Sequence, residues 1–377
     1  MTDDPSATIV TCLTPPGAAA IATLGLHGPD AWTVCRALFA PRSGKLPESP
    51  DAVKPGQFWL GRLGEEMKDE VVLALRRVEP VPWVELHCHG GRELIDMLLD
   101  VFRARGARAC SWEDWERRTA KSPLQAEAAV ALGRALTPRT ASVLLDQYQG
   151  ALEQALTEVR AALERGDGAE AEKPLASLTR HAALGLHLTT PWRVVVAGAP
   201  NVGKSSLVNA LTGYQRSIVA ETPGTTRDVV TTLIAIDGWP VELADTAGLR
   251  DDAEALEEQG IGLARAAAGT ADLCLWVVDG ASAPVWPQAL PTRVLRVVNK
   301  IDLPPAWDLG TAEGASRVSA RTGEGLGGMC EALSRQLVPD PPPAGSAVPF
   351  TPEWCDRLEA ARQHCAAGRL DEARACL

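Results

Sequence analysis

Four short stretches of the chain carry residue types suited to a nucleotide, and they occur in a fixed order. Gly198 to Ser206, GAPNVGKSS, matches G-x-x-x-x-G-K-[ST], with the strand-like run RVVVAG before it and the helix-like SSLVNALTG after it. Glycines let such a loop curl so that its N–H groups face phosphate, and the following helix N-terminus favours negative charge. Lys204 would reach the β- and γ-phosphates, and the Ser205 hydroxyl would ligate Mg²⁺. The second stretch is PGTTRD at 223–228, where Thr226 can reach the same ion once the loop orders around a γ-phosphate. The third is DTAG at 245–248. Asp245 would hold Mg²⁺ through the metal's shell, and Gly248 would sense the γ-phosphate. The fourth is NKID at 299–302, after the run VLRVV. Asp302 can accept two hydrogen bonds from the ring N–H and amino group of guanine, a donor pair that adenine lacks.

Together these stretches predict a Mg²⁺-dependent GTP site. Its contacts are Asn201, Val202, Gly203, Lys204, Ser205 and Ser206 in the first loop. Thr225 and Thr226 follow in the second, with Ala220 and Thr222 in the loop just before it, and Asp245, Thr246, Ala247 and Gly248 in the third. Asn299, Lys300 and Asp302 hold the base, with Ser319, Ala320 and Arg321 as the loop that meets the guanine oxygen. One position departs from the usual chemistry. Leu249 follows the D-T-A-G, where many GTPases place a Gln to orient the attacking water. Leucine can neither donate nor accept a hydrogen bond, so hydrolysis requires another group for that task.

The elements that must position these loops follow from patterning. Residues 191–338 alternate strand and helix as in a doubly wound α/β domain. RVVVAG and DLCLWVVDG are continuous apolar runs, the pattern of strands buried on both faces. Residues 1–121 read as an α+β domain, with strands in TIVTCL, IATLGLHG, GQFWLGRL, DEVVLALRR and WVELHCHGG and helices at 29–39 and 91–105. Residues 122–190 are rich in Ala, Leu, Glu and Arg at helical spacing, with Pro138 separating one helix from the next. A Pro/Gly stretch opens the last segment, 339–377, which ends in one or two short helices. The predicted architecture is therefore multi-domain. An N-terminal α+β domain precedes a helical domain that is interrupted by an inserted α/β P-loop GTPase domain.

Composition excludes several classes. Of 377 residues, 46% are hydrophobic and 23% charged, a globular balance. No apolar run approaches the roughly 18 residues that span a bilayer. The acidic start, MTDDPSATIV, lacks the order of a signal peptide, so a soluble cytoplasmic protein without membrane contact is expected. Nine cysteines include no C-x-x-C pair and are read as reduced thiols. A net charge of −11 argues against coating nucleic acid nonspecifically, while a local basic patch could still hold one RNA.

The motifs TIVTCLTPPG, VELHCHGG, LQAEAAVAL and GAPNVGKSSLVNALTG, with IVAETPGTTRDV and DTAGLR, resemble the tRNA modification GTPase MnmE (TrmE) family over roughly residues 6–335. The resemblance implies a second ion. Asn201, with the loop positions Ala220, Thr222 and Thr225, would coordinate K⁺ where other GTPases insert an arginine finger. It also implies that Glu257 orients the water, through a second water. In such a family the N-terminal domain forms a homodimer and binds formyl-tetrahydrofolate, and the partner is the FAD-dependent MnmG (GidA) protein. Glu85 and Lys121 match the folate pocket. Gly25 stands at the place of an expected Arg, and losing a guanidinium removes a bidentate carboxylate partner.

The family ends in C-x-G-K, whereas RLDEARACL places only Cys376 and Leu377 there, after a shortened helical segment. Cys376 is read as an ordinary thiol. Two functions stay open: GTP hydrolysis coupled to wobble uridine modification in tRNA, or a GTP switch that has lost this chemistry and acts in ribosome or complex assembly. His87 and His89 share a strand face and Cys88 opposes them, so no metal site is expected. Arg103, Arg105, Arg108, Arg117, Arg118 and Lys121 form a basic cluster that suits either RNA phosphates or a solvated helix face.

Overall fold

The computed structural model describes residues 6–63, 70–214, 231–245, 271–286 and 293–377, in two compact units, Met1–Glu127 and Ala128–Leu377. In the first unit, seven strands form one sheet: β1 (Ile9–Cys12), β2 (Ile21–His27), β3 (Phe39–Pro41), β4 (Phe58–Leu63), β5 (Glu70–Arg77), β6 (Trp83–His89) and β7 (Arg108–Ala109). Their spatial order is β3-β4-β5-β6-β2-β1-β7, antiparallel throughout except where β7 runs parallel to β1. Alternation decides which face is buried. Ala22, Leu24 and Leu26 of β2 meet Val84, Leu86 and Cys88 of β6 in a core that also takes Leu98 and Phe102 from the helix Arg92–Arg103. Full burial of each such Leu or Phe contributes about 1.5–3 kcal/mol.

The opposite face of that sheet is polar and aromatic. Register places Gly25 opposite Glu85, Thr23 opposite His87 and His27 opposite Trp83. The helix Trp112–Thr119 lays Trp115, 1% exposed, over this face. A Cβ added at Gly25 would stand 2.6 Å from Trp115 Cη2, so the indole requires glycine there. Trp115 also packs edge-on to Trp83 and His27, and burial with nearby Arg77 and Arg118 lowers the His27 pKa to about 4. Cys88 lies in the core while His89 is exposed, as strand alternation requires. Within the basic cluster, Arg103 pairs with Asp100 at 2.8 Å and Arg117 with Asp114 at 2.6 Å, the behaviour of a solvated helix face.

The second unit holds a six-stranded sheet of β8 (Trp192–Ala197), β9 (Thr231–Ile236), β10 (Trp239–Asp245), β11 (Leu273–Asp279), β12 (Val294–Asn299) and β13 (Ser316–Arg317). The order β13-β12-β11-β8-β10-β9 is parallel except for the edge strand β9. Every residue of β11 is buried, as its uninterrupted apolar run requires. Pro138 opens the helix Pro138–Tyr148 at its first turn, behind the capping residue Thr137.

Helices on both sides of the sheet in sequence meet in space. Pro352–Ala366 packs on Gly168–Arg180, and Leu370–Ala375 on Ala151–Glu164. Buried Gln147 donates to Ser346 O at 3.0 Å and accepts from Val348 N at 3.1 Å. The helix Pro138–Tyr148 also grips the sheet. Arg139 Nη1 donates to Asp237 O at 2.6 Å and to Asp237 Oδ2 at 2.8 Å in the β9–β10 turn, and its guanidinium lies 4.3 Å from the Trp239 ring centre.

Gly25→Arg tests the contact in the first unit. Forcing a long side chain under Trp115 is expected to destabilise by about 1–3 kcal/mol. Calorimetric melting should show a lowered transition; an unchanged one would contradict the placement of the indole.

Candidate nucleotide-binding site

The site lies at the carboxyl ends of parallel strands, where open α/β sheets place ligands. The loop 198–203 joins β8 to the helix Lys204–Tyr214. Two glycines are obligatory for close approach. A Cβ at Gly198 would stand 2.2 Å from Val277 O, and one at Gly203 would stand 2.4 Å from Asn299 Nδ2. Gly203 also has φ +91°, a left-handed conformation that side chains resist. Lys204, 7% exposed, donates from Nζ to Gly198 O at 3.0 Å and Ala199 O at 2.9 Å, which holds the ammonium over the curl of the loop. Ser205 and Ser206 are exposed in the first turn of that helix. Val202 is buried beneath the loop.

The base-side motif lies against this loop although it is about a hundred residues away in the chain. Asn299, 1% exposed at the end of β12, donates to Val202 O at 2.9 Å and accepts from Ala320 N at 3.0 Å. Its amide therefore ties three loops together. Lys300 Nζ donates to Asn201 O at 2.7 Å and to Asp279 Oδ2 at 2.6 Å. The Ser319 hydroxyl donates to Asp302 Oδ1 at 2.6 Å, and Arg321 reaches Oδ2 from Nε at 2.9 Å and Nη2 at 2.8 Å. The Ser319 bond, then the Arg321 charge, hold the Asp302 carboxyl below the usual carboxylate range, so it is an acceptor at neutral pH. Gly203, Asn299, Lys300, Asp302, Ala320 and Arg321 line a cavity of about 260 Å³.

Asp245 ends β10, and its backbone pairs in register with Val196 of β8, two residues before Gly198. The start of DTAG is thus brought beside the phosphate loop. Ala220, Thr222, Thr225, Thr226, Thr246, Ala247, Gly248 and Glu257 lie outside the described residues. Sequence reasoning missed Asp279. Its signal was an acidic residue closing an otherwise apolar strand, DLCLWVVDG, where a buried carboxylate demands a partner.

In the N-terminal unit, the Glu85 carboxylate, 13% exposed, lies 3.3 Å from Arg76 Nε and 3.6 Å from His87 Nε2. The His87 ring also meets Thr23 Oγ1 at 3.0 Å. Lys121 is exposed, and its backbone N–H donates to Gln125 Oε1 at 2.8 Å.

A P-loop at a β-strand-to-helix junction, joined to an N-K-x-D loop, defines a P-loop GTPase, an enzyme that hydrolyses GTP. Residues 193–303 match the family profile described as "50S ribosome-binding GTPase", and residues 8–120 match that of the "GTP-binding protein TrmE N-terminus". The tRNA modification GTPase MnmE of Alkalilimnicola ehrlichii is 34% identical over 406 aligned positions, covering 96% of this chain and 88% of that protein. Its counterparts from Thermotoga petrophila and Thermus thermophilus are each 32% identical and cover 87% and 96% of this chain, and 82% and 88% of their own lengths. The chain belongs to the MnmE (TrmE) family of tRNA modification GTPases.

Asp302→Asn tests the base contact. The amide keeps one acceptor and gains a donor, which suits a carbonyl at purine C2 rather than an amino group. GDP affinity is expected to fall by roughly 10² or more while xanthosine diphosphate gains affinity. Titration calorimetry that finds GDP binding unchanged would remove Asp302 from the base site.

Proposed function

We propose that the chain hydrolyses GTP to drive modification of the wobble uridine in tRNA. The observation that carries this reading is the extent of the alignment: 34% identity over 96% of the chain and 88% of an MnmE protein. A shared GTPase domain alone would match a far shorter segment, such as 193–303. The helices that flank the α/β sheet in sequence form one helical domain with the GTPase domain inserted, a reading supported by the packing of Pro352–Ala366 on Gly168–Arg180.

Within this reading, Ser205 and Thr226 would hold Mg²⁺, and Asn201, Ala220, Thr222 and Thr225 would hold K⁺. The bound K⁺ would supply the positive charge that other GTPases take from an arginine finger, and Glu257 would orient the water in place of a residue at Leu249. Asn201 has φ +62° and its carbonyl accepts from Lys300, so its side chain is carried on a fixed turn. The protein acts in the cytoplasm as a homodimer, with tRNA and the FAD-dependent MnmG protein as partners. Support for the dimer comes from one sheet face of the N-terminal unit. Ile21, Phe58 and Leu60, which are 63%, 68% and 38% exposed, share that face by register.

Folate is not part of the proposal. Gly25 offers no guanidinium, Trp115 fills the space above it, and Glu85 is engaged by Arg76 and His87.

Glu257→Ala is expected to keep GTP binding and lose hydrolysis, and the wild type to hydrolyse GTP faster in K⁺ than in Na⁺ at equal ionic strength. Unchanged turnover in the variant would sink the role of Glu257. For the cellular role, nucleosides from bulk tRNA of the native host and of a strain deleted for the gene are compared by mass spectrometry. A modified wobble uridine should vanish on deletion and return with the gene. Unchanged tRNA, with co-sedimentation on ribosomal subunits, would favour the assembly switch instead.

A further inference from the structure

We propose that Asp279 is a positioning residue for guanine nucleotide, acting through Lys300 on both the base pocket and the phosphate loop. The proposal rests on the reading of this pocket as the GTP site.

Asp279 is the last residue of β11 and is 9% exposed. Its two carboxylate oxygens have separate tasks. Oδ1 accepts from Ala281 N at 2.8 Å and closes the turn that leaves the strand. Oδ2 accepts from Lys300 Nζ at 2.6 Å. The same ammonium donates to Asn201 O at 2.7 Å, so one cation bridges the end of β11 to the phosphate loop.

Backbone conformation shows why such a clamp is needed. Among the described residues, three that are not glycine have positive φ, and two of them meet at this ammonium: Asn201 at +62° and Lys300 at +64°. Left-handed backbone is disfavoured at residues that carry a Cβ and persists where surrounding contacts hold it. Lys300 sits between Asn299 and Asp302, so its conformation sets the direction in which both base-side groups leave β12. The Lys300 stem lines the base cavity, and its charge is committed to Asp279 and a carbonyl. Its contribution is therefore orientation of the pocket, with Asp279 as the group that fixes it.

A double-mutant cycle on GDP affinity, read by fluorescence titration with Mg²⁺ present, tests the proposal. Asp279→Asn and Lys300→Met are each expected to weaken GDP by roughly tenfold, the scale of a charged hydrogen bond. The double variant should lose about the same tenfold rather than a hundredfold, because both changes break one clamp. Across a GTP titration, Asp279→Asn should raise KM and leave kcat within about twofold. Additive losses, or Asp279→Asn with wild-type affinity, would overturn the proposal. If Asp279→Asn alone folds poorly because Lys300 is left unpaired, the double variant should melt like Lys300→Met; melting below both single variants would also overturn it. Failure of the wild type to bind GDP would instead reject the site itself.

Discussion

The site depends on one fastening: the turn Asn299–Lys300 hydrogen-bonded to the backbone of the phosphate loop. Asn299 holds Val202 O and Lys300 holds Asn201 O, across 97 and 99 residues of chain. These are contacts to carbonyls, so they constrain the path of the loop regardless of its side chains. Gly203 follows from the same fastening, since any Cβ would collide with the Asn299 amide. The parallel sheet makes it possible by bringing the carboxyl ends of β8, β11 and β12 side by side. A loop held in this way presents its N–H groups to phosphate without reorganising, which is what preorganised electrostatic stabilisation requires.

The helical segment is tied to the sheet at a mechanically useful place. The hairpin of β9 and β10 begins three residues after PGTTRD and ends at the Asp of DTAG. Its turn is held by Arg139 from the helix Pro138–Tyr148, by the Arg139 stack on Trp239, and by Ser334 Oγ donating to Asp237 Oδ2 at 3.0 Å. Any shift of the hairpin must therefore be felt by that helix, because packed elements move as bodies rather than stretch.

Much of this was legible in the sequence, for reasons that differ by element. The phosphate and base loops were legible because their chemistry admits few residue types, and β8 and β11 because buried parallel strands leave uninterrupted apolar runs. Five of the seven N-terminal strands, β1, β2, β4, β5 and β6, and the helices Ala31–Leu38 and Arg92–Arg103 followed from alternation and periodicity. The helix Trp112–Thr119 was not legible. Six of its eight residues are charged or threonine, and only Trp115 and Thr119 are buried, so its apolar stripe is too thin to register. The two-residue strand β7 carries no pattern of its own and exists through pairing with β1. Asp279 escaped because its partner Lys300 lies on a different strand end, a proximity that only the sheet order creates. The loss of an expected Arg at position 25 was visible in the sequence; that Trp115 occupies the space was not.

The most direct test of the account is competition at equilibrium. The purified chain is loaded with a fluorescent GDP in Mg²⁺ buffer and challenged with unlabelled GDP or ADP. A pocket built on the Asp302 carboxylate and the Asn299–Lys300 turn predicts displacement by GDP and none by ADP at roughly thousandfold higher concentration. Equal displacement by the two would show that the base is not read, and the guanine site assigned to residues 299–302 and 319–321 would be wrong.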